Sequence, residues 1–356
     1  MHCYFLGLDV HKQVIVYCLK KADGTIVMEG KVPATREALT ELVKLLPGPW
    51  KAGLEATMFS HWIYRFLEPH ALEIRMGNPS RLKAVSAGKN KSDQLDSRML
   101  ADLLRCELFP PAYVLPVTLE GLRRQLRFRR LTVQEACVFK NRTAALLMER
   151  GISYEKKSLH RKGYFQKLLK SEPLIDQELR PLLEFGRAQI EALQQIDKQI
   201  LKTLQRHPRL AARVAALSEV EGVGPVTALT WALEVADPAR FPHLKNAISY
   251  CGLCAAHRES AGKAKRGPLS KQRNGYWQSA LVEAAKMAPL WNNKLKDVYA
   301  HAQERGHANP ATLAVARKLV AYLLAMDRKF HAPAPGAASA TATEVPAVPQ
   351  EVASVP

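Results

Sequence analysis

Apolar and β-branched residues dominate the start of the chain, where Cys3 to Leu19 form one apolar run with a single carboxylate, Asp9, in its middle. Such a run predicts a largely buried β-strand. A buried carboxylate is costly unless a cation meets it. Asp9 therefore either faces a cation or lies exposed in a hairpin turn, with Gly7 supplying the bend.

Strand and helix patterns alternate from residue 22 to residue 76. The expected elements are a hairpin turn at 22–25, a strand over 26–32, a helix over 35–46 capped by Thr35, a strand over 50–54 that ends at Glu55, a helix opened by Thr57 or Ser60, and a strand over 72–76. This order predicts an α/β domain with a mixed sheet. It fits the ribonuclease-H-like arrangement, in which an early hairpin precedes βα units.

The rest of the chain is predominantly helical in pattern. A helix is expected from about Asp93, and long helices over 118–205 carry apolar residues at three-, four- and seven-residue steps between Leu183 and Leu204, as a coiled coil requires. Proline-containing breaks and a final Ala/Pro/Ser/Thr/Val segment divide the chain. The predicted parts are an α/β domain (1–112), a basic helical or coiled-coil connector (113–207), a mostly helical C-terminal domain (208–331) and a disordered tail (332–356).

Basic residues outnumber acidic ones, 52 to 33, which gives a net charge of +19. A protein of this charge attracts polyanions, and the clustering of the cations favours a surface that follows nucleic-acid phosphates. The alternative is a solvated helix face. The candidate nucleic-acid-binding residues are Lys89, Lys91, Arg123, Arg124, Arg127, Arg129, Arg130, Arg258, Lys263, Lys265, Arg266 and Lys271.

Four carboxylates lie in settings suited to one metal site. Asp9 lies within a strand pattern and Glu55 at the end of another, while Asp93 and Asp96 are three residues apart on one face of a helix turn. Four acids in one pocket repel each other unless divalent cations are bound, and oxygen ligands favour Mg²⁺ or Mn²⁺. Each acid also has a simpler explanation, such as a charge at a helix N-terminus.

The C-terminal part contains three further features of chemical interest. The segment 220–228 resembles a helix-hairpin-helix, whose turn amides can meet a phosphate. Ser260 lies among cations that favour a serine nucleophile, although an ordinary loop serine is the alternative. Cys251 and Cys254 with His257 lack a second ligand pair at zinc-finger spacing, so we expect no zinc site.

Seven short motifs occur in order along the chain and resemble those of one protein family. They read Gly-Leu-Asp-Val-His-Lys (7–12), Leu-Glu-Ala-Thr (54–57), Asn-Lys-Ser-Asp-Gln-Leu-Asp-Ser-Arg (90–98), Glu-Gly-Val-Gly-Pro-Val-Thr-Ala (221–228), Arg-Phe (240–241), Tyr-Cys-Gly-Leu (250–253) and Arg-Gly-Pro-Leu-Ser-Lys-Gln-Arg-Asn (266–274). With them the chain resembles the insertion-sequence-110 family of bacterial transposases over residues 1 to about 330.

The resemblance implies a fold, a site and partners. The first domain would be RuvC-like, with Asp9, Glu55, Asp93 and Asp96 as a DEDD set of Mg²⁺ or Mn²⁺ ligands, and Ser260 would be the serine nucleophile of a DNA recombinase. A structured bridge RNA would pair with target and donor DNA, so that the protein reads RNA shape and backbone. The resemblance also implies a homo-oligomer, a dimer that becomes a tetramer in the synaptic complex, in the bacterial cytoplasm at the nucleoid. No run of apolar residues is long enough to span a membrane.

Departures from the family pattern leave two questions open. Met58 and Ser97 replace small residues that are common in the family, and neither is a ligand. The segment after Leu253 lacks the usual proline, which leaves Ser270 as a competitor of Ser260 for the role of nucleophile. The alternative functions are a RuvC-like nuclease of the junction-resolvase type, which cuts by attack of water, and a non-catalytic nucleic-acid-binding scaffold.

Overall fold

The computed structural model describes residues 3–85, 92–260 and 263–332, apart from the side chains of 257–260 and 263–266. The chain divides into two compact units, Met1–Leu115 and Pro116–Pro356. The predicted tail from residue 333 onward, together with Lys89 and Lys91, lies outside the described residues. No described helix is both long and apolar enough to cross a bilayer.

The first unit is a five-stranded mixed sheet with helices. Its described elements are β1 (Tyr4–Val10), β2 (Val14–Lys20), β3 (Ile26–Pro33), α1 (Arg36–Leu45), β4 (Trp50–Glu55), α2 (Ser60–Leu67), β5 (Glu73–Gly77), α3 (Pro79–Val85) and α4 (Asp93–Arg105). The strand order is β3-β2-β1-β4-β5. Strands β1, β2 and β3 are antiparallel neighbours, whereas β4 and β5 run parallel to β1. The predicted mixed α/β class is confirmed, and the order is consistent with a ribonuclease-H-like arrangement.

The apolar run at the start of the chain is two strands, so the prediction of one strand was wrong. Three polar residues, His11 to Gln13, separate β1 from β2, and the amide of His11 donates to the carbonyl oxygen of Val14 at 2.9 Å. Asp9 is therefore the penultimate residue of β1 and not the centre of a longer strand. Gly7 lies within β1 opposite Cys18 of β2, so it does not supply the bend.

Local capping chemistry sets the predicted helix starts. The side chain of Thr35 accepts a hydrogen bond from the amide of Ala38 at 3.2 Å, which caps α1 as expected. Ser92 does the same for α4 through the amide of Leu95, and α4 begins at Asp93. Both of these predicted helix starts are confirmed.

Helix α4 packs directly on β1 at Gly7. A Cβ atom at this position would lie 2.0 Å from the carbonyl oxygen of Ser97 and 2.5 Å from the amide nitrogen of Ala101. Ser97 is fully buried at this contact. On the neighbouring strand β2, the buried amine of Lys20 pairs with Asp102 of α4 at 2.5 Å. The absence of a side chain at Gly7 therefore fixes how closely α4 approaches the sheet.

The second unit is mainly helical. Its described elements are α5 (Val117–Glu149), α6 (Lys162–Ser171), α7 (Leu179–Leu204), α8 (Pro208–Ser218), α9 (Pro225–Val235), α10 (Leu244–Tyr250), β6 (Ala255–Ser260), β7 (Lys263–Leu269), α11 (Gly275–Met287), α12 (Asn293–Glu304) and α13 (Ala308–His331), with short 3-10 helices at Pro238–Arg240 and Ala288–Leu290. Helices α5 and α7 pack against each other, with the rings of Phe139 and Phe185 edge to face at 5.4 Å. The long helices predicted for this region are confirmed.

A two-stranded antiparallel hairpin, β6–β7, occupies the segment around Ser260, which the sequence analysis treated as a loop. The reason lies in the composition, because residues 255–266 are small or charged residues and one histidine, in no regular alternation, and offer no apolar face. A strand without a buried face carries no hydrophobic period of two, and that period is the signal from which strands are recognised.

A buried ion pair joins three helices of the second unit. Arg213 of α8 donates two hydrogen bonds to the carboxylate of Asp327 on α13, at 2.7 and 2.6 Å. The indole nitrogen of Trp231 on α9 donates to the same carboxylate at 2.8 Å. Asp327 is fully buried, and these donors compensate the cost of removing its charge from water.

Candidate metal centre and nucleic-acid interface

The strand register places two of the predicted acids side by side. Strands β1 and β4 are parallel, and Leu8 pairs with Leu54. Asp9 and Glu55 each follow these residues by one position, at the carboxyl ends of neighbouring strands. Side chains at matching positions of adjacent strands point to the same face of a sheet, with the strands about 4.8 Å apart. Asp9 and Glu55 thus share one face and one end of the sheet.

The N-terminus of α4 brings the other two acids to the same end. Asp93 is the first residue of α4, and Asp96 lies in its first turn. The positive end of the helix dipole stabilises both carboxylates at this position. The close approach of α4 to β1 at Gly7 determines where this helix end lies.

His11 completes a group that the sequence reasoning missed. Its Nε2 atom lies 3.1 Å from Oδ2 of Asp9 and 3.5 Å from Oδ1 of Asp93. The ligand atoms of Asp9, His11 and Asp93 all lie within 4.8 Å of one another. Among the described residues, Glu55 and Asp96 do not belong to this tight group. Glu55 nevertheless follows the strand residue that pairs with Leu8, and the charge of Asp96 acts on Asp9. The signal was present in the motif at residues 7–12, where His11 follows Asp9 by two positions.

Electrostatics at this end of the sheet oppose a charged Asp9. Its side chain is 15% exposed, and burial is the main cause that raises the pKa of its carboxyl group. The imidazole of His11 lowers this pKa, while the charges of Asp96 and Asp93 raise it further. Clustered carboxylates of this kind are stabilised by a bound cation. The donor set of two carboxylate oxygens and one imidazole nitrogen fits a divalent metal ion.

The two candidate serine nucleophiles are described to different extents. Ser260 is the last residue of β6 and pairs with Lys263 of β7, but its side chain lies outside the described residues. Ser270 follows β7, and its hydroxyl oxygen accepts a hydrogen bond from the amide of Gln272 at 3.2 Å. The carbonyl oxygen of Ser270 accepts a further bond from Arg273 at 2.9 Å. These bonds tie Ser270 into a local turn.

Several of the predicted nucleic-acid-binding arginines already bind partners within the second unit. Arg129 pairs with Asp197 of α7. Arg130 donates to the carbonyl oxygen of Gly275 at 2.6 Å, and its guanidinium lies over the ring of Tyr276. By contrast, Arg124 on the same helix and Lys271 after β7 are exposed. The side chains of Arg258, Lys263, Lys265 and Arg266 lie outside the described residues.

Arg127 belongs to a polar network centred on Glu234, which sequence reasoning did not identify. The guanidinium of Arg127 donates two hydrogen bonds, each 2.8 Å, to the buried carboxylate of Glu234 on α9. Asn274, the N-cap of α11, donates to the same carboxylate at 2.8 Å and to the hydroxyl of Tyr250 at 3.0 Å. Burial favours the neutral form of Glu234, but Arg127 and Asn274 hold the pKa of this carboxyl below its usual range. Arg123 is half-buried beside the same pair.

The other two features of the C-terminal part have packing roles. Gly222 has a φ of +86°, and a Cβ there would lie 2.6 Å from the Cα of Ala288, so the turn before α9 packs on its neighbour through this glycine. Cys251 is fully buried and its sulfur accepts a hydrogen bond from the indole of Trp277 at 3.0 Å. Burial raises the pKa of Cys251 to about 12, which keeps its thiol protonated.

Comparisons with known proteins match both units of the chain. Residues 6–150 match a family model described as a transposase with a DEDD domain, and residues 214–300 match the transposase family IS116/IS110/IS902. Two proteins of Sinorhizobium fredii and one of Pseudomonas aeruginosa are similar over 79% of the chain.

All three relatives are provisionally named as transposases. The Sinorhizobium fredii proteins are 25% and 26% identical to this chain, with 70% and 71% of their own lengths covered. The Pseudomonas aeruginosa protein, named as a family 20 transposase, is 22% identical, with 82% of its length covered. An enzyme of this kind acts on DNA. The chain belongs to the IS110 family of transposases.

Proposed function

We propose that this transposase is an RNA-guided DNA recombinase that uses a divalent-metal site in its first unit and a serine nucleophile in its second. The observation that carries the metal site is the convergence of Asp9, His11 and Asp93, whose ligand atoms lie within 4.8 Å of one another. Glu55 and Asp96, at the same end of the sheet, would complete the DEDD set. RNA guidance and the serine follow from the resemblance of the motifs to the family.

Carboxylates of the first unit would hold the ion. Asp9 and Asp93 would bind Mg²⁺ or Mn²⁺, with Glu55 and Asp96 neutralising further charge or binding a second ion. A divalent cation bound there would stabilise the negative charge that develops in phosphoryl transfer. Asp93 and Asp96 lie in the first turn of α4, where the positive end of the helix dipole favours negative charge, and the contact of α4 with Gly7 would hold both acids next to β1.

In the proposed cleavage step, the serine hydroxyl of Ser260 attacks a DNA phosphate. A bond forms between Oγ and phosphorus, the bond from phosphorus to the 3′ oxygen breaks, the serine proton leaves to solvent, and the 3′ oxygen takes up a proton. The products are a covalent protein–DNA link and a free 3′ hydroxyl for strand exchange. The resemblance and the cationic surroundings of Ser260 in the sequence support this assignment, while the turn that holds Ser270 makes it the weaker candidate.

The remaining parts of the proposal concern partners. The exposed Arg124 and Lys271, together with the basic residues of the β6–β7 hairpin, would contact the phosphates of a structured RNA encoded beside the gene and of target and donor DNA. The helical segment 113–207 would connect the metal-binding domain 1–112 to the transposase domain 208–331 and carry contacts of a dimer or tetramer. We place the protein in the bacterial cytoplasm at the nucleoid.

A covalent-adduct assay tests the serine and the acids together. The protein is incubated with its flanking RNA, labelled donor and target DNA and Mg²⁺, and the products are separated under denaturing conditions. We expect Ser260→Ala to abolish the denaturant-stable protein–DNA species, Ser270→Ala to retain it, and Asp9→Asn to remove cleavage while RNA binding persists. Full strand exchange by Ser260→Ala would refute the serine assignment, and unchanged cleavage by Asp9→Asn would refute the metal site.

The same assay separates recombination from simple hydrolysis. A nuclease of the junction-resolvase type would cut DNA by attack of water and leave no covalent species. Metal-dependent cleavage by wild-type protein without any adduct would therefore favour that second function. Co-purification of a structured RNA with the wild-type protein tests the RNA partner. Purified protein that carries no RNA and binds no flanking RNA in vitro would contradict RNA guidance.

A further inference from the structure

The turn between β1 and β2 places an imidazole directly over the acids of the proposed metal centre. His11 follows Asp9 by two residues, and alternate residues of an extended chain share a face. The hydrogen bond from the His11 amide to the carbonyl oxygen of Val14 closes the turn at 2.9 Å. The ring position of His11 is thus set by the hairpin that also positions Asp9.

The contacts of His11 distinguish it from an ordinary surface histidine. One atom, Nε2, faces Oδ2 of Asp9 at 3.1 Å and Oδ1 of Asp93 at 3.5 Å, so a single nitrogen is shared between acids from two separate elements. The side chain is 46% exposed, which leaves the ring free to adjust when a cation enters. Imidazole nitrogen is among the commonest metal ligands in proteins.

We propose that His11 is a nitrogen ligand of the metal site, acting through Nε2 together with Asp9 and Asp93. This inference rests on the proposed metal-dependent function. The family resemblance implied ligation by four carboxylates, whereas the geometry assigns a mixed set of one nitrogen and two oxygens. Because Mg²⁺ takes oxygen ligands and imidazole suits transition metals, the site binds Mn²⁺ more tightly than Mg²⁺, and His11 supplies part of that difference.

Pulsed electron paramagnetic resonance of the Mn²⁺-loaded full-length chain tests the ligand directly. A histidine nitrogen bound to Mn²⁺ gives a nuclear modulation that aspartate oxygens do not give. We expect this modulation in wild-type protein, its loss in His11→Gln, and its retention in His70→Gln. His70 is an exposed histidine of the same unit whose ring lies 5.9 Å from that of Phe66, so it is a matched control.

Binding measurements provide the second readout. Titration calorimetry should show a loss of about tenfold or more in Mn²⁺ affinity for His11→Gln and a smaller loss for Mg²⁺. Circular dichroism establishes that the variant is folded. Mn²⁺ bound by wild-type protein without nitrogen modulation would overturn the role of His11 and leave the acid site intact, as would modulation that persists in His11→Gln. If wild-type protein binds neither ion, the proposed metal site itself fails.

Discussion

Replacement of Gly7 by alanine tests whether the packing of α4 on β1 builds the candidate site. The added Cβ would meet two backbone atoms of α4, the carbonyl oxygen of Ser97 at 2.0 Å and the amide nitrogen of Ala101 at 2.5 Å. Cβ atoms essentially never approach closer than 3.0 Å, so the helix must move by about 1 Å. Backbone atoms cannot rotate away as a flexible side chain does. The N-terminus of α4, with Asp93, moves with the helix.

The energetic cost follows from overpacking. An extra methyl group forced into a packed core costs about 1–3 kcal/mol, and the upper end applies where backbone must shift. With a urea dependence of about 2 kcal/mol per molar, a cost at the upper end of this range should lower the unfolding midpoint of the first unit by about 1.5 M. The displaced acids should also weaken the stabilisation that Mn²⁺ gives to the folded state.

Hydrogen exchange followed by mass spectrometry in a urea series reads out the first unit separately within the full chain. Gly30→Ala on β3 is the matched control, because the three atoms nearest to its Cβ would all belong to the side chain of Tyr17, at 3.0 Å or more, and a side chain can move aside. We expect peptides of β1 and α4 to lose protection at lower urea in Gly7→Ala than in the control. If both variants unfold with the wild type, α4 does not pack on β1 at Gly7.

Three further predictions follow from buried charges. Asp9→Asn should stabilise the metal-free protein, because burial raises the pKa of Asp9 and its ionisation opposes folding as the pH rises above the ordinary value of 3.8. Melting curves from pH 4 to 7.5 should show that the melting temperature of the variant exceeds that of wild type by an amount that grows with pH. A difference that does not change with pH would contradict this. Asp327→Ala should lower the free energy of unfolding by about 3–5 kcal/mol, since it leaves the buried guanidinium of Arg213 without its carboxylate. Loss of the exposed ion pair in Glu283→Ala should change the melting temperature little, and equal effects of the two variants would contradict a stabilising role of the buried pair. Arg127→Gln should lower the melting temperature, because it leaves the buried carboxylate of Glu234 without its cation. Arg124→Gln should leave the melting temperature unchanged and reduce the slope of log affinity for RNA against log salt concentration by about one. The reverse pattern in melting and filter-binding assays would show that Arg127 binds RNA and Arg124 stabilises the fold.

Local chemistry made part of the fold readable from the sequence. Thr35 and the Asp93 helix start were predictable because a cap and the turn that follows it lie within four residues. Asp9 and Glu55 are adjacent because β1 and β4 pair in parallel. The order of elements predicted a mixed sheet, which contains parallel strands of this kind.

Other features depended on contacts between distant segments. Gly7 was assigned to a bend because nothing in the neighbouring sequence shows that α4, some ninety residues later, packs against it. Arg127 was predicted to bind nucleic acid because its partner Glu234 is distant in sequence and lies within an apolar helix. His11 was passed over because its role depends on Asp93, and a turn residue next to a strand is usually solvent-exposed.

Titration of Mn²⁺ into wild-type protein and Asp93→Asn, followed by calorimetry, tests the central claim that acids from separate elements converge on one cation site. Asp297→Asn, which removes an exposed acid of the second unit, serves as the control. We expect wild type and the control to bind Mn²⁺ with equal affinity and Asp93→Asn to bind it at least about tenfold more weakly. Equal affinity in all three proteins would contradict it.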